Sequence, residues 1–186
     1  MRIIGGKLRG KKIIPPKDDK TRPLRDLVKE SIFNLLNHSS KINFQMENSV
    51  ILDLFSGCGS FGLECISRGA NNVTFVENYY EALIVLKKNI SNMGTYENSN
   101  IIQKDCFNYL NFQDFSENQY DLIFMDPPFR EKNINLLINE IIERKILKKD
   151  GTLILHRHKK DDVEISKSLK IIDERNYGIS KIILGN

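Results

Sequence analysis

Val50-Ile51-Leu52-Asp53-Leu54-Phe55-Ser56-Gly57-Cys58-Gly59-Ser60-Phe61-Gly62 reads as a short apolar strand, a glycine-rich turn and the start of a helix. The apolar run Val50–Phe55 is too short for a buried helix and is bounded by turn residues, so it predicts a strand. Phe61–Arg68 then predicts a short helix closed by Gly69. Working outward, the same alternation repeats. Val73–Glu77 predicts a second strand, and Tyr80–Met93 a helix with Leu83, Leu86, Ile90 and Met93 in phase. Asn100–Lys104 predicts a third strand with a helical turn after Asp105. Tyr120–Met125 predicts a fourth, ending at Asp126-Pro127-Pro128-Phe129. Ile134, Leu137, Ile138, Ile141 and Ile142 mark another helix, and Gly151–Leu155 a fifth strand. Lys170–Leu184 reads as two strands turning at Tyr177-Gly178. Strands alternating with helices imply an α/β fold with a parallel, doubly wound sheet, to which the final hairpin adds an antiparallel edge.

Ahead of this unit, Arg2–Ile4 and Lys11–Ile14 read as two strands around glycines 5, 6 and 10, stopped by Pro15-Pro16. Thr21-Arg22-Pro23 opens a helix, with Thr21 as N-cap and Pro23 in the first turn, where its missing N–H costs nothing. Leu24, Leu27, Val28, Leu35 and Leu36 fall on one face, and the helix ends near His38-Ser39-Ser40. This divides the chain into a basic hairpin extension, 1–20, and a main domain, 21–186.

At 186 residues and 40% apolar, the chain has the size and composition of one globular domain. No stretch reaches the ~18–20 apolar residues of a membrane span, and Met1–Lys12 has no signal-peptide core. Cys58, Cys65 and Cys106 form no CxxC pair, which points to reduced thiols in a cytoplasmic protein. The net charge of +4 is uneven: residues 1–30 carry ten Lys or Arg against four Asp or Glu, and the rest eighteen against twenty. A basic arm on a nearly neutral body predicts a polyanionic partner.

In doubly wound sheets, ligands bind at the carboxyl ends of the strands. The glycine pattern alone fits a dinucleotide site equally well. Asp53, four residues before Gly57, shifts the reading, because a carboxylate there suits an ammonium and repels a pyrophosphate. Glu77, ending the second strand, can accept two ribose hydroxyls. Asp105 can accept from an adenine amino group or cap the following helix, with the Cys106 N–H offered to the ring. Asp126-Pro127-Pro128-Phe129 carries the chemistry. A base amino group is a poor nucleophile because its lone pair is delocalised. Two acceptors on its hydrogens, the Asp126 carboxylate and the Pro127 carbonyl, favour pyramidalisation and aim the lone pair at a methyl donor. Consecutive prolines hold those acceptors in place, and Phe129 offers a face to a flipped-out base. No metal-ligand cluster is visible, so no metal is expected.

Taken together, these stretches resemble the RsmD-type methyltransferases, which act on N2 of a guanine in 16S ribosomal RNA. The resemblance rests on Arg2-Ile3-Ile4-Gly5-Gly6 with Arg9-Gly10, on Arg22-Pro23 running into Val28–Asn34, and on Asp53–Gly59 with Gly62-Leu63-Glu64. Ser67–Ala70, Glu77, Asp126–Phe129 and Tyr177-Gly178 complete it. It implies a Rossmann-like S-adenosylmethionine-dependent methyltransferase fold, with a mostly parallel seven-stranded sheet. By the same resemblance, Asp53, Phe55, Ser56, Gly57, Gly59, Glu77, Asp105 and Cys106 hold S-adenosylmethionine, and Asp126 to Phe129 hold the target guanine. Arg2, Lys7, Arg9, Lys11, Lys12 and Arg22 hold RNA. The implied partner is ribosomal RNA or the assembling small subunit, and the implied state a monomer. One departure stands out. Family members often carry an acid near the end of strand five, where this chain reads Leu155-His156-Arg157-His158-Lys159-Lys160. That run suggests a phosphate grip, and the two histidines a structural or phosphate-contact role. Three alternatives stay open on the residues alone: an adenine-N6 or cytosine-N4 methyltransferase, an NAD-dependent oxidoreductase, and a non-catalytic RNA-binding module.

Overall fold

The computed structural model describes residues 1–16, 24–112 and 119–186. Five parallel strands form one side of a seven-stranded sheet, out to its β3 edge: β1 (Val50–Leu54), β2 (Asn72–Glu77), β3 (Ser99–Gln103), β4 (Tyr120–Met125) and β5 (Leu147–His158). The last two strands, β6 (Ile171–Tyr177) and β7 (Ser180–Gly185), are antiparallel, and the order across the sheet is β3-β2-β1-β4-β5-β7-β6. The helices are α1 (Asp26–His38), α2 (Ser60–Ser67), α3 (Tyr80–Met93), α4 (Cys106–Phe112) and α5 (Ile134–Glu143).

Alternation along the strands builds two cores. Ile51, Phe75, Leu122, Phe124, Ile154 and Ile182 meet α1, α2 and α3 on one face. Leu52, Leu54, Val76, Ile123, Met125 and Ile183 meet α4 and α5 on the other. Burial on both faces explains why the strands read as apolar runs and not as clean alternation. An aromatic column ties the first layer together: Phe33 of α1 stacks on Phe61 of α2 at 5.3 Å, and Phe61 on Phe124 of β4 at 3.9 Å.

Four expectations change. The two N-terminal strands shrink to a single antiparallel bridge, Arg2 to Lys12, because the intervening turn spends its N–H groups on α2 rather than on a ladder. On α1, Leu27 is 69% exposed, and the buried face is Val28, Lys29, Ile32, Phe33 and Leu36. The third change is in β5, which extends three residues beyond Leu155, since β7 pairs with it through His158 to Ser180. The helix expected to open at Thr21-Arg22-Pro23 begins instead at Asp26, with Arg25 extended at its N-cap and no side-chain cap bond; Thr21, Arg22, Pro23 and the boundary at 20/21 themselves lie outside the described residues.

Ile3 and Ile13 are buried in the α1–α2 core, so the N-terminal turn is packed into the body. It is fixed by charge as well. The Glu64 carboxylate accepts the N–H groups of Ile4 (2.8 Å) and Gly5 (2.7 Å) and pairs with Arg68 (2.8 Å) and Lys29 (3.5 Å). Lys29 and Glu64 are both fully buried, and the Lys29 ammonium also donates to the Arg2 carbonyl at 2.8 Å. Burial pulls the Lys29 ammonium below the usual lysine value, with Glu64 opposing.

Candidate functional site

Strand order reverses between β1 and β4, where an open α/β sheet leaves a crevice at its carboxyl edge. The glycine turn closes β1 there. Gly59 has φ +81 and begins α2, a left-handed conformation that a side chain would strain, and a Cβ there would strike Leu86. At Gly57 a Cβ would meet nothing within 4 Å, so the bare backbone faces open space that a ligand can approach closely. The turn is locked from beneath. Ser56 donates from Oγ to the Asp53 carbonyl (2.6 Å) and from N to the Val76 carbonyl (3.1 Å), and Gly57 donates to Glu77 (2.7 Å). Phe55 also adopts positive φ (+61), with its ring edge-on to Phe107 at 6.4 Å.

Three carboxylates converge on the crevice from β1, β2 and the end of β4. Asp53 is 1% exposed and accepts the Gly62 N–H at 3.0 Å. Burial pushes its carboxyl well above the usual range, and the nearby charges of Asp126 and Glu77 push the same way. A cationic ligand relieves this strain, whereas a pyrophosphate worsens it. The donor set therefore fits S-adenosylmethionine, which carries an ammonium and a sulfonium, and opposes a dinucleotide. Glu77 already accepts the N–H groups of Gly57, Asn78 and Tyr79. Its two oxygens offer about four lone-pair sites, which leaves capacity for a ribose hydroxyl. Asp105 caps α4 through the Phe107 N–H (3.0 Å) and accepts from Asn78 (3.0 Å), so the capping role anticipated for it is present. The Cys106 thiol is buried against the Phe55 N–H, and burial raises its pKa.

Asp126 follows β4 directly, its N–H directed at the Leu54 carbonyl (3.4 Å). Its Oδ1 lies 2.7 Å from His156 Nδ1, and Oδ2 has no partner among the described residues. Pro127 is buried, and Phe129 is 37% exposed, an available apolar face. The loop is stitched by Arg157, whose guanidinium donates to the carbonyls of Pro128 (3.2 Å), Phe129 (3.2 Å) and Glu131 (3.0 Å) and pairs with Asp161. The 156–160 run is therefore not a uniform phosphate grip. His156 and Arg157 are 6% and 2% exposed and turn inward, and only His158, Lys159 and Lys160 reach solvent. Sequence reasoning did not anticipate Arg157 as a site residue, and it gave His156 only a structural or phosphate-contact role, because a run of cations reads as a phosphate grip. The local signals were their position at the carboxyl end of a strand and the basic run standing where the resemblance implies an acid.

On the opposite layer, Arg2, Lys7, Arg9, Lys11 and Lys12 are all exposed on the N-terminal turn. The turn joins the glycine loop through Asn89 of α3, which donates to the carbonyls of Ile14 and Cys58, each at 3.0 Å. Among the described residues, no cluster of His, Cys, Asp and Glu has metal-binding geometry, and no helix is long and apolar enough to cross a membrane.

The family described as Conserved hypothetical protein 95 matches residues 1–186. The chain belongs to this family. It is 32% identical over 166 residues to Ribosomal RNA small subunit methyltransferase D of Buchnera aphidicola subsp. Acyrthosiphon pisum, covering 89% of this chain and 82% of that one. To the protein of the same name from Haemophilus influenzae it is 30% identical over 180 residues, covering 96% and 90%. The solved structure of yhhF from Escherichia coli superposes with a TM-score of 0.81 at 25% identity, covering 100% and 96%. The RsmD-type resemblance and the methyltransferase fold expected from the sequence both hold.

Proposed function

We propose that this chain is a cytoplasmic enzyme that methylates the exocyclic N2 of a guanine in small-subunit ribosomal RNA, using S-adenosylmethionine. The observation that carries the reading is the Asp126 carboxylate at the switch point, with Oδ1 held and Oδ2 open, beside two further carboxylates. When bound, S-adenosylmethionine supplies a methyl group from its sulfonium and leaves as a neutral thioether, the C–S electron pair staying on sulfur. Asp53 and Glu77 hold the ligand's ammonium and ribose, and the bare backbone at Gly57 and Gly59 lets it approach. Phe55, Ser56, Asp105 and Cys106 frame that pocket. Asp126 and the Pro127 carbonyl accept the two amino hydrogens of the base. The nitrogen lone pair then turns out of the ring plane toward the methyl carbon. Asp126 is also placed to take the proton that the methylated nitrogen sheds and to pass it to water. Phe129, carried by the rigid Pro127-Pro128 pair, stacks against the base. Guanine is favoured because its adjacent N1–H and N2–H match one carboxylate, each oxygen of which accepts more than once. The names of the relatives support the RNA substrate.

The deciding experiment treats small-subunit RNA with enzyme and methyl-labelled S-adenosylmethionine and identifies the labelled nucleoside by mass spectrometry. The expected product is N2-methylguanosine. Label in N6-methyladenosine, or in DNA alone, overturns the substrate.

We assign RNA contact to the N-terminal turn, 1–16, as a basic extension of the main domain, with Arg22 continuing it. Because Ile3 and Ile13 are core residues, the clean test changes charge rather than length. Substituting Lys7, Arg9, Lys11 and Lys12 with Gln is expected to weaken RNA binding. If each contacts a phosphate, the log–log salt slope falls by about 0.7–0.9 per cation removed. S-adenosylmethionine affinity stays unchanged. An unaltered salt slope removes the turn from the RNA interface.

A further inference from the structure

We propose that His156, braced by Ser180, is the positioning residue for Asp126. This inference rests on the acceptor role of Asp126 proposed above.

His156 lies on β5 facing the crevice, with Nδ1 2.7 Å from Asp126 Oδ1 and Nε2 2.8 Å from Ser180 Oγ. An ionised carboxylate can only accept, so Nδ1 carries the hydrogen whether the ring is neutral or charged. Ser180 adapts to either state. Its hydroxyl donates to a neutral ring at Nε2 and accepts from a charged one. The imidazole is thus pinned at both nitrogens, and both His156 and Ser180 are nearly inaccessible, at 6% and 4% exposed.

Asp126 needs such a support. Its backbone has left the strand, and it makes no other side-chain bond among the described residues. With Oδ1 occupied, rotation about its terminal torsion is arrested and Oδ2 points one way. The same ring meets Phe129 edge-on, 5.6 Å between centroids at 77°, and His158, two residues further along β5, meets Phe129 at 5.4 Å and 69°. One side chain therefore sets the acceptor and helps seat the stacking face. Bracing by a residue that touches neither substrate nor methyl donor acts on turnover, because misaimed acceptors slow the reaction even when both ligands bind.

The test compares His156→Leu, His156→Asn, Ser180→Ala and Asp126→Ala, with small-subunit RNA and S-adenosylmethionine as the probes. His156→Leu is expected to lower kcat about 10–100-fold, with the RNA KM and the S-adenosylmethionine affinity little changed. His156→Asn restores most of the loss, since its amide N–H stands near the Nδ1 position. Ser180→Ala lowers kcat several-fold, and it carries the test alone should His156→Leu fail to fold. Wild-type kcat in His156→Leu, or in Ser180→Ala where that variant stands alone, overturns the proposal. So does an Asn variant as slow as the Leu variant. If Asp126→Ala is inactive while His156→Leu is fully active, only the positioning role falls. A fully active Asp126→Ala overturns the acceptor role as well.

Discussion

Replacing Asp126 with alanine is expected to slow methyl transfer by about 10²–10³-fold, the typical cost of removing one acceptor or donor aimed at the reacting group. Binding of S-adenosylmethionine is expected to survive, because the proposed anchors are Asp53, Glu77 and the Gly57–Gly59 backbone and not Asp126. The substitution also removes one of the charges that burden buried Asp53. A small change in cofactor affinity is compatible with that shift, whereas a large loss is not. Calorimetric titration combined with a single-turnover assay separates the two quantities. Near-normal turnover in the variant would remove Asp126 from the mechanism.

Glu64→Ala is expected to be the most damaging single change to stability, at about 3–5 kcal/mol, the range seen when one partner of a buried ion pair is deleted. The reason is the number of groups that converge on this carboxylate. The Lys29 ammonium, the Arg68 guanidinium and the N–H groups of Ile4 and Gly5 all lose a partner at once. A buried ammonium left without its counter-charge has to be neutralised or the site opened to water. Guanidinium chloride denaturation measures the effect as a lowered midpoint. The double substitution Lys29→Met with Glu64→Leu is expected to recover part of the loss, because the fully buried unpaired ammonium is then gone, while the Arg68 side chain, 19% exposed, keeps access to water. Recovery stays partial, since the two backbone donors keep no acceptor. A midpoint within experimental error of the wild type would show that the pair contributes nothing.

Local pattern and long-range pairing divide what could be read from the sequence. Tyr80–Met93 and Tyr120–Met125 were bounded correctly, because an in-phase apolar stripe and a short apolar run are self-contained signals. The glycine turn and the Asp126 corner fall where they were expected, since each adjoins a well-marked strand. Lys29 was invisible. Between Val28 and Glu30 it reads as a solvent-facing charge, and its counter-ion stands in another helix. For His156 the sequence suggests only a structural or phosphate-contact role, because its partners, Asp126 on one neighbouring strand end and Ser180 on the other, are brought to it by the fold. The extra length of β5 likewise depends on a partner strand, because Lys148 to Asp150 and His156 to His158 carry no apolar alternation of their own.

The placement of β7 between β5 and β6 has a bearing on how the chain reaches this state during synthesis. β5 leaves the ribosome before the strand that covers its outer edge, and the intervening stretch contains β6, which does not pair with it. Until Ser180–Gly185 arrives, the apolar segment Leu153–Leu155 presents an unpaired edge, the kind of template on which nascent chains aggregate. The β6–β7 hairpin can form locally and then add as a unit. Its docking is the step most exposed to overcrowding and to delay.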